Sequence, residues 1–137
     1  MTPILKTLSA TLVAAALATG TLVAPADAGG SVSVTYVPAN KKDAQALKAG
    51  LLFYQLYNSV QNGASIKQIG KNNVGGIGQY GFGNTGIIHQ EGSGHSATLN
   101  QYGNGNSWGI FQFGQNTNAN VNQYGNGGNG ATFQFGW

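Results

Sequence analysis

From Ala64 onward, apolar and polar residues alternate in short runs that recur every 11 positions. Glutamine marks the register at Gln68, Gln79, Gln90, Gln101, Gln112, Gln123 and Gln134. Two residues after each glutamine comes a glycine: Gly70, Gly81, Gly92, Gly103, Gly114, Gly125 and Gly136. Two residues before it stands Ile66, Ile77, Ile88, Leu99, Ile110, Val121 or Thr132, and four before it Ala64, Gly75, Gly86, Ala97, Trp108, Ala119 or Gly130. A spacing of two is the period of a strand, so each unit predicts a strand of about six residues. A tight turn follows, and Gly, together with Asn73, Asn84 and Asn106 five residues after their glutamines, suits it by tolerating positive φ. An 11-residue apolar repeat is also the mark of a right-handed helical supercoil. Nineteen glycines between Gln61 and Trp137 exclude that reading on helix propensity.

Charge tells the two strand faces apart. The face with the small residue, the Ile-type residue, Gln and Gly carries no charge in any unit, whereas Lys67 and Glu91 fall on the other face with His89. Burying an unpaired charge is costly, so the glutamine face is predicted to point inward. In a stack of like rungs each glutamine amide can bond those above and below it, as a structural ladder. A 22-residue period overlies the first. Tyr80, Tyr102 and Tyr124 follow alternate glutamines, while Phe113 and Phe135, with Phe111 and Phe133, flank the last two of the others. The fold class predicted is therefore all-β: a two-sheet parallel β-solenoid of 22-residue strand-turn-strand rungs, about 3.5 of them. One sheet takes the units of Gln68, Gln90, Gln112 and Gln134, and the other those of Gln79, Gln101 and Gln123. The tyrosines and phenylalanines form outward aromatic ladders.

Before the repeats lie two further segments. Residues 1–28 carry Lys6, an apolar run from Leu8 to Val23 and the small-x-small end Ala26-Asp27-Ala28, the pattern of a secretory signal peptide. Residues 29–62 read as a leader. Ser31 to Val37 alternates like a strand, and a short helix is predicted over 41–61, with Asn40 or Asp43 as its N-cap and Asn62-Gly63 as its stop. Leu47, Leu51 and Tyr54 share one stripe of that helix. The leader is expected to cap the first rung, as solenoids commonly require; a role in export or nucleation is the alternative. Residues 63–137 form the solenoid domain.

Composition removes most other functions. The chain has no cysteine, and its net charge of +3 is no nucleic-acid footprint. His89, Glu91 and His95 are the one close group of ligand-type side chains, and two imidazoles with a carboxylate can hold zinc. No orienting partners accompany them, so they read instead as breakers of aggregation on a solvated edge, and no metal or cofactor is expected. No nucleophile–base set, carboxylate pair or phosphate loop appears, and no enzymatic activity is expected.

The run Gln68-x-Gly70-x-x-Asn73, with Gly75, Ile77 and Gln79 after it, resembles the repeat of curlins, the subunits of bacterial curli fibres. Gln90 to Gln101 and Gln112 to Gln123 follow the same pattern. Where a curlin repeat usually opens with serine, this chain has Asn62, Asn84, Asn106 and Gly128. The resemblance implies a secreted subunit that polymerises with itself into an extracellular, cell-surface amyloid fibre of the adhesive biofilm matrix. It also implies a partner or nucleator curlin and an outer-membrane secretion channel. The competing expectation is a monomeric secreted solenoid, an adhesin or ice-binding protein, although no rank of threonines supports ice binding.

Overall fold

The computed structural model describes residues 29–57 and 63–137. The expected signal peptide, and residues 58–61 of the expected helix, lie outside the described residues.

The chain order is β1 (Ser31–Tyr36), α1 (Lys41–Tyr57), β2 (Ala64–Lys71), β3 (Val74–Tyr80), β4 (Thr85–Ser93), β5 (Ser96–Tyr102), β6 (Ser107–Gln115), β7 (Asn118–Tyr124) and β8 (Asn129–Gly136). The seven repeat strands divide between two parallel stacks, β2-β4-β6-β8 and β3-β5-β7. Register is offset by one 22-residue period throughout, so Gln68 lies opposite Gln90, Gln90 opposite Gln112 and Gln112 opposite Gln134. Gln79, Gln101 and Gln123 line up in the same way. The chain is a β-solenoid of three rungs and a half.

Between the sheets lies a thin core of Ile88, Ala97, Leu99, Ile110 and Ala119, against which Ile77, Trp108 and Val121 pack. The Trp108 ring fills the space beside Gly130, where an added Cβ would meet its Cζ3 at 2.2 Å. Its indole N–H donates to Thr132 Oγ1 at 3.2 Å, so the one bulky polar-tipped ring in the core is satisfied.

The leader sits where the sequence reading did not put it. β1 pairs antiparallel with β8, at the far end of the solenoid from the first rung, with Ser33 opposite Gln134 and Thr35 opposite Thr132. The physical reason is that β8 is the last strand of its sheet and presents a row of unpaired N–H and C=O groups. Among the described residues nothing caps the first rung as expected: Ile66 stands on the inner face yet is 44% exposed, and Val74 is 65% exposed.

Asn40 caps α1, its Oδ1 accepting from the Asp43 N–H at 2.9 Å while its amide donates back to the Asp43 carboxylate at 2.7 Å. The helix lies against the outer face of the four-stranded stack. Leu51 and Gln55 are its buried residues, and the Gln55 amide donates to the Gly86 carbonyl at 3.4 Å. Beneath it runs a column of Ser65, Ile87, Gly109 and Ala131, one residue per rung. Ile87 and Ala131 are wholly buried there. A side chain at Gly109 would strike Leu51 Cδ2 at 2.8 Å, so that glycine lets the helix approach.

Candidate functional site: the side-chain columns and the stack ends

Period two turns the glutamines of every unit to the inner face, and period 22 places them one rung apart. Gln68 Nε2 donates to Gln90 Oε1 at 2.8 Å, Gln90 to Gln112 at 2.8 Å and Gln112 to Gln134 at 2.7 Å. In the other sheet Gln79 donates to Gln101, and Gln101 to Gln123, each at 2.9 Å. A second bond fixes the direction of five of these seven amides. The Nε2 of Gln79, Gln90, Gln101, Gln112 and Gln134 also donates to the backbone carbonyl 16 residues earlier, at 2.7–3.0 Å. A flipped amide would set oxygen against oxygen, so every ladder runs nitrogen to oxygen from the first rung toward the last. Gln90, Gln101 and Gln112 are fully buried, while Gln68 is exposed at the open end. Ile77, Ile88, Leu99, Ile110 and Val121 alternate with the glutamines on this face, and Ile66 closes its column at the open end.

The turns hold a second set of columns. Gly70, Gly81, Gly92, Gly103, Gly114 and Gly125 all have positive φ, where the chain leaves each strand. The asparagines act differently from the expectation. Positive φ outside glycine belongs to Asn72 and Asn116, not to Asn73, Asn84 or Asn106. Those three use their side chains as staples between rungs. Asn84 Nδ2 donates to the Gly103 carbonyl at 2.9 Å, and Asn84 Oδ1 accepts from the Asn106 N–H at 3.0 Å. Asn106 repeats both bonds one rung on, to the Gly125 carbonyl and from the Gly128 N–H. Asn73 does the same toward Gly92 and His95.

His95 therefore is no solvated gatekeeper. It occupies the asparagine column and is 1% exposed. Its Nε2–H donates to the Glu91 carbonyl at 3.2 Å, leaving Nδ1, 2.8 Å from the Thr117 hydroxyl, as the acceptor. The sequence spacing hid this because His replaces Asn at one rung without changing the turn. His95 is turned into the stack, whereas His89 and Glu91 lie on the outer face, so the three do not converge.

On the outer faces the aromatic columns are stacked. Tyr80, Tyr102 and Tyr124 stack with ring centroids 4.8 and 4.9 Å apart, Phe111 lies over Phe133 at 5.1 Å and Phe113 over Phe135 at 5.4 Å. Tyr54 of α1 packs edge-on against Phe111 and His89, and its hydroxyl bonds His89 Nδ1. His89 Nε2 lies 3.6 Å from Glu91 Oε2. So His89 too is half-buried rather than solvated, because the helix covers it. Burial pushes the Tyr54 phenol up to about 12, with the Glu91 charge adding to the shift. Burial likewise holds the His89 imidazole below its ordinary value, Lys67 acting the same way and Glu91 opposing.

That shift has a sign. The folded state favours neutral His89, so its contribution is complete above the unfolded value of 6.5 and fades as pH falls through the lowered folded one. Thermal unfolding followed by circular dichroism should show a lower Tm at about pH 5 than at about pH 7.5. His89→Gln should flatten that difference; an equal pH dependence in both proteins would remove His89 from the helix contact.

The fold and its columns define a class: a glutamine-laddered parallel β-solenoid with uncovered strand edges at the end of its stack. The curlin associated repeat family matches this chain at residues 61–92, 75–103 and 83–114. Residues 61–114 thus carry curlin associated repeats, and that repeat points to curli-type fibre subunits, a structural class. The units of Gln123 and Gln134 keep the same register beyond the matched span. No curated protein and no solved structure matches the chain. Among the described residues no helix is long and apolar enough to cross a membrane.

Proposed function

We propose that this protein is the structural subunit of an extracellular curli-like amyloid fibre that serves adhesion and the biofilm matrix. The observation that carries the reading is the unfinished ladder. Gln123 Nε2 has no partner among the described residues, and the Oε1 atoms of Gln68 and Gln79 accept from none. A second copy placed on the stack supplies those partners and pairs the open edges of β2, β3 and β7 as well. The solenoid spanned by 63–137 is the polymerising domain. Its glutamine columns hold the rungs in register, its glycine and asparagine columns hold the turns, and its aromatic columns line the fibre surface. Residues 1–28 direct export, and by resemblance the subunit passes an outer-membrane channel and meets a nucleating curlin.

The test is assembly of protein beginning at Gly29. Incubation should yield dye-binding fibres with a meridional reflection at about 4.7–4.8 Å. The β1–β8 pairing, which covers one edge, favours the alternative of a monomeric secreted solenoid that binds a surface. A protein that stays monomeric at high concentration through long incubation would establish that alternative.

A further inference from the structure

The two ends of the solenoid do not match by simple translation. One stack has four repeat strands and the other three, so at the far end β8 stands one level above β7. Were a second copy to be set on unrotated, its β2 would follow β8, and its β3 would lie over an empty level above β7. That vacancy is one strand thick, about 4.8 Å, and Gln123 Nε2 would still face no acceptor. Turning the copy by half a revolution about the stack axis removes the gap. A strand of the four-stranded stack, so turned, runs in the direction of the three-stranded one.

We propose that a second copy docks with its β2 on β7 and its β3 on β8, releasing β1, so that neighbours in the fibre are related by about a half turn. The inference rests on the fibre-subunit reading and fixes the geometry of its self-interface. Extending the 11-residue register places the incoming Ala64, Ile66 and Gln68 over Ala119, Val121 and Gln123. It places Gly75, Ile77 and Gln79 over Gly130, Thr132 and Gln134. Like meets like at nearly every inner position. The amide direction agrees too, because the donor nitrogens at the far end, that of Gln123 and that of Gln134 once β1 has left Ser33, meet free oxygens at the first rung. Gln123 donates to the incoming Gln68, and Gln134 to the incoming Gln79.

β1 holds that place only provisionally. It offers Gln134 the Ser33 hydroxyl at 3.3 Å, where neighbouring glutamines bond at 2.7–2.9 Å. It also runs antiparallel and ends the ladder, since serine has no amide to pass it on. Helix length points the same way. α1 has 17 residues, about 26 Å, and runs past β8, β6 and β4. Four strands rise only about 19 Å, so unrotated copies would bring successive helices end against end on one face. A half turn alternates the faces and spaces helices on each by seven levels, about 34 Å.

Cysteine pairs in this cysteine-free chain distinguish the geometries. Ile69 and Tyr124 are exposed, and the half turn brings Ile69 of one copy beside Tyr124 of the next. Translation would bring it beside Phe135 instead. Adjacent parallel strands lie within disulfide reach. Fibres of Ile69→Cys/Tyr124→Cys, oxidised and run on non-reducing gels, should form a near-complete covalent ladder, and those of Ile69→Cys/Phe135→Cys only a background. Fibres with the reverse pattern, or with neither pair linked, would overturn the half turn while leaving the fibre reading intact. Helical reconstruction of unmodified fibres gives the same decision without substitutions: about 180° and 17 Å per copy supports it, and no rotation with about 19 Å overturns it. Failure of the unmodified protein to form any fibre would sink both.

Discussion

Replacing Gly103 with alanine should lower the melting temperature of the solenoid steeply, where Gly76→Ala should leave it nearly unchanged. Gly103 leaves β5 at φ +118°, a conformation that a Cβ strains by about 1–3 kcal/mol. The space is closed as well: an added Cβ would sit 1.9 Å from the Gly125 carbonyl oxygen and 2.8 Å from its carbon. Those atoms belong to the backbone of the next rung, so relief requires prising rungs apart. The Gly103 carbonyl also accepts the Asn84 amide at 2.9 Å, and its N–H donates to the Tyr80 carbonyl at 2.9 Å. Both bonds cross between levels and would go with the shift. Strain and lost pairing together exceed about 3 kcal/mol, a large share of the roughly 5–15 kcal/mol that holds a domain. Gly76 lies in β3 with open space around its Cα, and there a methyl group meets nothing within 4 Å. Circular dichroism of the two proteins checks the contrast; equal melting would mean that the glycine column does not set the spacing of rungs.

What could be read in the chain beforehand was whatever repeats. The 11-residue register of Gln and Gly carries the strand period, and the absence of charge on the strand face of Gln90, Gln101 and Gln112 identifies the face that the structure buries. Alternation of Tyr80, Tyr102 and Tyr124 with the other units separates the two sheets. What could not be read is pairing between segments far apart. Ser31–Tyr36 alternates as any edge strand does, and nothing local to it says that its partner is β8 rather than β2. That choice follows from which end keeps an edge free within reach of the chain. The helix seat was equally obscure, because Ser65, Ile87, Gly109 and Ala131 share no chemistry beyond lacking charge. Ile87 is the available signal, the one large aliphatic residue in a column that otherwise holds Ser65, Gly109 and Ala131. Single substitutions inside a column misled for the same reason: His95 looks like a surface residue in sequence, yet its level in the stack makes it buried.

Removing one central amide should cost far more than removing one outer ring. Gln101 is fully buried and makes three bonds: it accepts from Gln79 at 2.9 Å and donates to Gln123 at 2.9 Å and to the Thr85 carbonyl at 3.0 Å. Alanine leaves the Gln123 and Thr85 oxygens without that donor inside the stack, each at about 1–3 kcal/mol. It also opens a cavity between Leu99 and the turn, since the rungs cannot close over it while the strands stay in register. A loss of about 3–5 kcal/mol follows, together with a broken ladder at the level that joins Gln79 to Gln123. Tyr102 stacks between Tyr80 and Tyr124 on the outer face, with no bond through the core. Such ring contacts are worth about 0.5–1.5 kcal/mol each, less where water reaches them. Gln101→Ala should therefore lower the melting temperature well below that of Tyr102→Ala and lengthen the lag before fibres appear by a larger factor. Denaturation curves read the first effect and dye-binding kinetics the second. If Tyr102→Ala proves the more damaging in both, the stack is held by its aromatic surface, and the buried amides merely fill it.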